Sequence, residues 1–166
     1  MTAKRLFALA EEALTHSIIG AFFEVYNTLG YGFLESVYVE ALVRELRRRR
    51  HRVEREALVK VWYKGEIIAR QRVDLLVDEK IVIEVKAGPQ LPPTASRQLC
   101  NYIRGSDKEV GLLLFFGPAP RYFREYRPTN NPIRSSDESG NFSRISNQSP
   151  GGRRTKAPVG DGEKPK

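Results

Sequence analysis

A single cysteine, Cys100, and two histidines, His16 and His51, are all the thiol and imidazole this chain carries. One cysteine cannot close an internal disulfide, so no disulfide framework holds the fold, and the usage suits a reducing cytoplasm. The two histidines are too few and too far apart in the chain for a zinc site or a histidine-based triad, and neither is assigned a role. Long apolar runs are missing as well. None is longer than 112–116, which is far too short to cross a bilayer. Glu11, Glu12 and His16 interrupt the stretch after Lys4 and Arg5 before it could read as a signal peptide. No glycine-rich phosphate loop occurs, which argues against ATP use, and no segment repeats. The expectation is a cytoplasmic protein with no membrane partner.

What the chain does have is positive charge. Its 28 Lys and Arg outnumber 20 Asp and Glu, for a net +8. Residues 1–127 contain 21 Lys and Arg against 16 Asp and Glu, net +5, so the part able to fold is basic in its own right. That balance points to an anionic partner such as nucleic acid. The 166 residues give room for one domain with a sizeable core. From Pro128 onward Pro, Ser, Asn, Gly and Arg dominate and large apolar residues become scarce. Such a segment cannot bury enough surface to offset the entropy of ordering, and 128–166 is expected to be a disordered basic tail behind a 1–127 domain.

Periodicity organises that domain. Leu14, Ile18, Ala21/Phe22, Val25 and Leu29 recur at helical spacing until Gly30 and Gly32 stop them. A second helix is predicted over 34–50, with the stripe Leu34, Val37/Tyr38, Ala41/Leu42 and Leu46, closing in Arg47–Arg50 where cations suit the negative dipole end. From Val53 the period becomes two: Val53, Arg55, Ala57, Val59, Val61 and Tyr63 share one face of a predicted strand. Lys64-Gly65-Glu66 turns the chain into a strand over 67–77, and Asp78-Glu79-Lys80 turns it again into 81–86. Gly88-Pro89 and Pro92-Pro93 end that strand. Thr94 can cap a helix over 95–104. The wholly apolar 110–116 reads as an interior strand, and 121–127 as either an edge strand or a trailing end. The order is that of a mixed sheet with helices packed on it, an α/β core.

The stretch that concentrates chemistry is 73–86, VDLLVDEKIVIEVK. Alternation puts Val82, Glu84 and Lys86 on one face of its second arm. Asp74 and Glu84, on neighbouring strands, can converge. Charges in so apolar a segment are costly to bury unless paired or bound. Two convergent carboxylates form a hard-oxygen cradle suited to Mg²⁺ or Mn²⁺, and Lys86 on the Glu84 face could stabilise negative charge developing on a phosphate. Glu35, Gln98 and Tyr102 complete the candidate set.

These residues resemble a known family. Asp74 followed by Glu84-Val85-Lys86 is similar to the D…(E)xK signature of the PD-(D/E)XK nuclease-like superfamily. Gly32-Phe33-Leu34-Glu35-Ser36-Val37-Tyr38 resembles the motif naming its GxxExxY branch, and Gln98…Tyr102 a QxxxY pair. The similarity runs from about His16 to Phe116. Tyr26 stands where that branch commonly has His, and Phe115 where it has Asn before Phe116. The resemblance implies a restriction-endonuclease-like fold, a central mixed sheet flanked by helices. It implies that Asp74 and Glu84 bind the metal, that Glu35 adds a water-mediated contact, and that Lys86 assists the attacking water. Gln98 and Tyr102 would lie beside the site. The implied activity is Mg²⁺- or Mn²⁺-dependent hydrolysis of phosphodiester bonds in DNA, or else RNA.

Plainer readings stand beside these. Glu84 and Lys86 could be an ion pair on an exposed strand, Asp74 a strand-start residue, and Glu35 a first-turn acid at a helix N-terminus. Tyr38 falls on the apolar stripe and fits the core. Gln98 and Tyr102 could be a helix-face pair. Arg47–Arg50 with Arg52 could be a solvated helix end or a phosphate-backbone contact. The alternative to a nuclease is a catalytically silent nucleic-acid-binding or protein-interaction module on the same fold. The oligomeric state stays open, a homodimer included.

Overall fold

The computed structural model describes residues 3–127, with side chains from residue 11 onward; the segment expected as a tail lies outside the described residues. Helix α1 spans Ala3–Leu29 and buries Leu14, Ile18, Ala21, Phe22 and Val25, the stripe that its spacing predicts. It ends where Gly30, at φ +72°, donates its N–H to the Tyr26 carbonyl at 2.7 Å, a left-handed position that glycine adopts without Cβ strain. Helix α2, Glu35–Arg48, buries Tyr38, Leu42, Val43 and Leu46. It is shorter at both ends than predicted. Leu34 has extended backbone at the N-cap and is 76 % exposed, so it leaves the apolar stripe that the spacing assigned it. No helix among the described residues is long and apolar enough to cross a membrane.

Strands β1 (Val53–Tyr63), β2 (Glu66–Val77), β3 (Ile81–Ala87), β4 (Val110–Phe116) and β5 (Arg121–Tyr126) form one sheet in chain order. Only β3 and β4 run parallel, which requires a crossover, and helix α3 (Ala95–Gly105) supplies it. The result is a mixed five-stranded α/β sheet flanked by helices. Every residue of β4 is buried, as its apolar run implies, and residues 121–126 are an edge strand rather than a trailing end. Thr94 precedes α3 but its hydroxyl makes no cap. Its backbone is already helical and its carbonyl takes the Gln98 N–H at 2.9 Å, so the extended geometry a side-chain cap needs is absent.

The two faces of the sheet have separate cores. Leu75, Val77, Ile81, Ile83, Val85 and Leu112 pack against α1 and α2. Leu76, Val82 and Leu113 pack against Ala95, Leu99, Tyr102 and Ile103 of α3. Gly111 lets α3 close in: a Cβ there would come within 2.9 Å of the Leu99 and Ile103 side chains. The predicted common face of β1 does not hold. Val53 belongs to the α1/α2 core, whereas Ala57 and Val59 belong to the α3 core. Between them Glu56 takes a positive φ of 49°, and the β1–β2 ladder passes from Arg55↔Leu75 to Ala57↔Val73 without pairing Glu56 to Asp74. This local break reverses the in-out alternation. It sits at Asp74.

Candidate active site

The β2–β3 ladder has only three pairs, Leu75↔Ile83, Leu76↔Val82 and Val77↔Ile81. Beyond them the strands stop pairing, and the Asp74 side chain fills in: its Oδ2 accepts the Val85 N–H at 2.7 Å. Glu84 lies between two residues of the α1/α2 core and so faces the α3 side, where it is only 3 % exposed. Lys86 follows on the same face. Its Nζ donates to Glu84 Oε1 at 2.7 Å and stands 4.0 Å from Glu35 Oε1. The exposed-strand reading of this pair therefore fails.

Glu35 arrives from another element. It is the first residue of α2, and the loop before it is pinned by Tyr38. That phenol donates to the Gly30 carbonyl at 2.7 Å and accepts the Phe33 N–H at 3.2 Å, while its buried ring stacks 4.1 Å from Phe116. Tyr38 is thus core, as its place on the stripe suggests, and also the fastener that fixes where α2 begins.

Three carboxylates, Glu35, Asp74 and Glu84, act electrostatically on one another and on a single ammonium. Burial pushes the Glu84 carboxyl above its ordinary value. The Lys86 hydrogen bond opposes this, and the nearby Asp74 and Glu35 charges add to it. Burial likewise raises Glu35, with Lys86 acting against it and Asp74 with it. For Lys86 burial works downward, yet the bond and charge of Glu84, with Glu35 and Asp74, outweigh it and hold the ammonium above its ordinary value. Such a cluster carries more negative than positive charge in a half-buried place.

Gln98 and Tyr102 lie on the α3 side, joined by a 2.5 Å hydrogen bond from Gln98 Nε2 to the Tyr102 hydroxyl. With Gln71, Thr94, Arg97 and Asn101 they line a cleft of about 250 Å³. Among the described residues no hydrogen bond joins them to the three acids; the fold ties four of the six candidates to one another and lines a cleft with these two.

A model of the PD-(D/E)XK nuclease superfamily matches residues 12–126. The chain belongs to that superfamily. As a PD-(D/E)XK protein it has the expected architecture, a restriction-endonuclease-like mixed sheet flanked by helices. A solved structure titled "Crystal structure of SSO0001" is similar at 23 % identity and a TM-score of 0.44; the match covers 58 % of this chain and 52 % of that one. No curated protein matches the chain. PD-(D/E)XK nucleases typically use divalent metals. The donor set here is of the right chemistry, hard carboxylate oxygens in excess over cations. Yet among the described residues no three His, Cys, Asp or Glu stand together as a ready-made cage; Lys86 takes one Glu84 oxygen and Val85 one Asp74 oxygen.

One group that sequence reasoning left without a role proves to be wired into the fold. His51 Nε2 lies 2.7 Å from Ser17 Oγ and Nδ1 lies 2.8 Å from Asp78 Oδ2. Asp78 Oδ1 accepts the Arg52 N–H at 2.8 Å, and its own N–H returns to the Arg52 carbonyl. The members are 27 and 34 residues apart, and only the fold joins them. The order Ser-His-Asp mimics a nucleophilic triad. Ser17, however, sits mid-helix in α1, where backbone N–H groups are spent on helical bonds and none remains as an oxyanion donor. It is a tie between α1, the end of α2 and the β2–β3 turn.

Proposed function

We propose that this PD-(D/E)XK protein, a member of the GxxExxY branch, is a metal-dependent nuclease that hydrolyses phosphodiester bonds in DNA. The observation that carries this reading is the excess of carboxylate over ammonium at the unpaired end of the β2–β3 hairpin, with Glu84 buried there. Asp74 and Glu84 would hold Mg²⁺ or Mn²⁺, and Glu35 would reach it through water. Bound there, such an ion lowers the pKa of a water and polarises the phosphodiester. Lys86 keeps its proton and places positive charge where negative charge grows on the phosphate. Gln98 and Tyr102, on the neighbouring cleft, offer an amide and a phenol to the substrate strand.

The test is cleavage of plasmid and single-stranded DNA by the full chain with Mg²⁺ or Mn²⁺, beside Asp74→Ala and Lys86→Ala. Loss of activity in both variants, by about 10²–10³-fold or more, supports the reading; three proteins cutting equally would overturn it. The direct Lys86–Glu84 bond favours one rival, a fold that keeps its charges satisfied and does not turn over. Salt-dependent DNA binding with no cleavage under any divalent ion would establish that catalytically silent module instead.

A further inference from the structure

The β1–β2 hairpin extends beyond the rest of the sheet. Its ladder runs from Val53↔Val77 to Tyr63↔Glu66, while β2 pairs with β3 only over Leu75–Val77. The outer part, 57–73, is therefore an arm. Its inner face is covered: Ala57, Val59 and Val73 join the α3 core, and a Cβ on Gly105 would come within 3.0 Å of Val61. Its outer face carries Leu58, Lys60, Arg70 and Arg72, all exposed. The register sets Lys60 directly opposite Arg70, and Arg72 opposite Leu58. Like charges facing each other across a strand pair destabilise it. Among the described residues Lys60 and Arg70 have no acid within ion-pair reach, and Arg72 has only Glu56 at 3.6 Å.

The other basic patch is different. On α2 and the loop after it, Arg44 pairs with Glu40 at 2.8 Å, Arg49 with Glu45 at 2.9 Å and Arg52 with Glu79 at 2.6 Å. Those three cations already have local anions, while among the described residues Arg47 reaches only the Val53 carbonyl at 3.5 Å. The arm holds Lys60 and Arg70 together against repulsion with no acid beside either, and Arg72, whose one acid is Glu56, is two residues from Asp74, about 7 Å along the strand.

We infer that the outer face of the β1–β2 arm, through Lys60, Arg70 and Arg72, is a surface that grips the phosphate backbone of the nucleic acid. The choice of a polyanion rests on the nuclease reading and on charge complementarity. A second copy of this chain is the poorer occupant, because a twofold contact would bring the same three cations onto themselves.

The experiment measures binding of the full chain to a fluorescent 30-base-pair DNA duplex by anisotropy, in EDTA, from 50 to 200 mM KCl. The wild type is compared with Lys60→Gln/Arg70→Gln/Arg72→Gln and with Arg44→Gln/Arg48→Gln/Arg52→Gln, which removes equal charge from the helix-end patch. The arm variant is expected to lower the slope of log K against log salt by about 2–3, since each phosphate contact contributes roughly 0.9. Arg70→Gln alone is expected to lower it by about 0.9, and the helix-end variant to leave it unchanged. A wild-type slope in the arm variant, or a fall confined to the helix-end variant, overturns the inference. So does a change of mass by sedimentation in the arm variant, which would assign the face to self-association. Cleavage with Mg²⁺ is read in parallel. Cutting that survives with no arm dependence sinks the arm alone, whereas an arm-dependent slope without any cutting sinks the nuclease reading alone.

Discussion

The β2–β3 hairpin has a polar cluster at each end, and the two are built on opposite principles. At the turn, Asp78 has a donor for each oxygen, the Arg52 N–H and the His51 ring, and His51 in turn meets Ser17. Charge and hydrogen bonding close on themselves. At the open end, Glu84 and Glu35 share one ammonium with the Asp74 charge close by, and burial pushes the Glu84 and Glu35 carboxyls upward. A cluster that balances contributes to stability, whereas one left short of positive charge is held in a less stable state by the fold around it. The turn end is therefore read as structure and the open end as a site, although the turn end has the more familiar-looking Ser-His-Asp order.

The largest expected effect comes from deepening the imbalance. Lys86→Ala removes the single cation beside a buried Glu84 and is expected to cost about 3 kcal/mol in urea unfolding at pH 8. The loss should shrink as pH falls, because burial favours the protonated form of Glu84. Glu84→Gln/Lys86→Met should recover most of it, since the pair is coupled. A Lys86→Ala variant as stable as wild type at every pH would mean that the open end is balanced after all.

Supplying charge should do the reverse. Glu84 and Glu35 hold protons more tightly folded than unfolded, so the metal-free fold loses stability as pH rises from the unfolded carboxyl value through their raised folded values. Mg²⁺ or Mn²⁺ at about a hundred times its Kd is expected to add about 2.7 kcal/mol, read as a rise in Tm. The gain should be largest at high pH, decline as pH falls and protons compete at Glu84 and Glu35, and vanish in Asp74→Asn. An equal shift in that variant would place the ion elsewhere. Asp78→Ala, at the other end, should lose about 1–3 kcal/mol, couple non-additively with His51→Ala, and leave the ion-induced shift intact.

Much of the open end is legible in the sequence because its chemistry is local. Glu84 and Lys86 alternate with Ile83 and Val85, and apolar neighbours on both sides already imply burial. The α1 stripe and the apolar β4 run are legible for the same reason. The turn end is not, because Ser17, His51 and Asp78 meet only through tertiary packing. Nor is the break at Glu56. A glutamate gives no hint of positive φ, so strict alternation carries Val53 and Ala57 to one face when the strand in fact switches between them. Leu34 misleads in another way: its spacing fits the stripe, but one residue of extended backbone turns it out to solvent.

The smallest effect tests how the open end is held. Tyr38 fixes the loop 30–34 through its hydroxyl while its ring stays in the core. Tyr38→Phe keeps the stacking on Phe116 and removes both hydrogen bonds, at a cost of about 1 kcal/mol. A purely structural tyrosine would do no more than that. If the hydroxyl also sets where α2 starts, Glu35 loses its fixed approach to Lys86, and Mn²⁺ affinity measured by calorimetry should fall several-fold. Glu35→Gln supplies the discriminating background: there Tyr38→Phe should still lower stability but change ion affinity no further, because the carboxylate it positions is already gone. Equal losses of affinity with and without Glu35 would separate the loop from the acid, and the charge-deficient end would then be assembled by β2 and β3 alone.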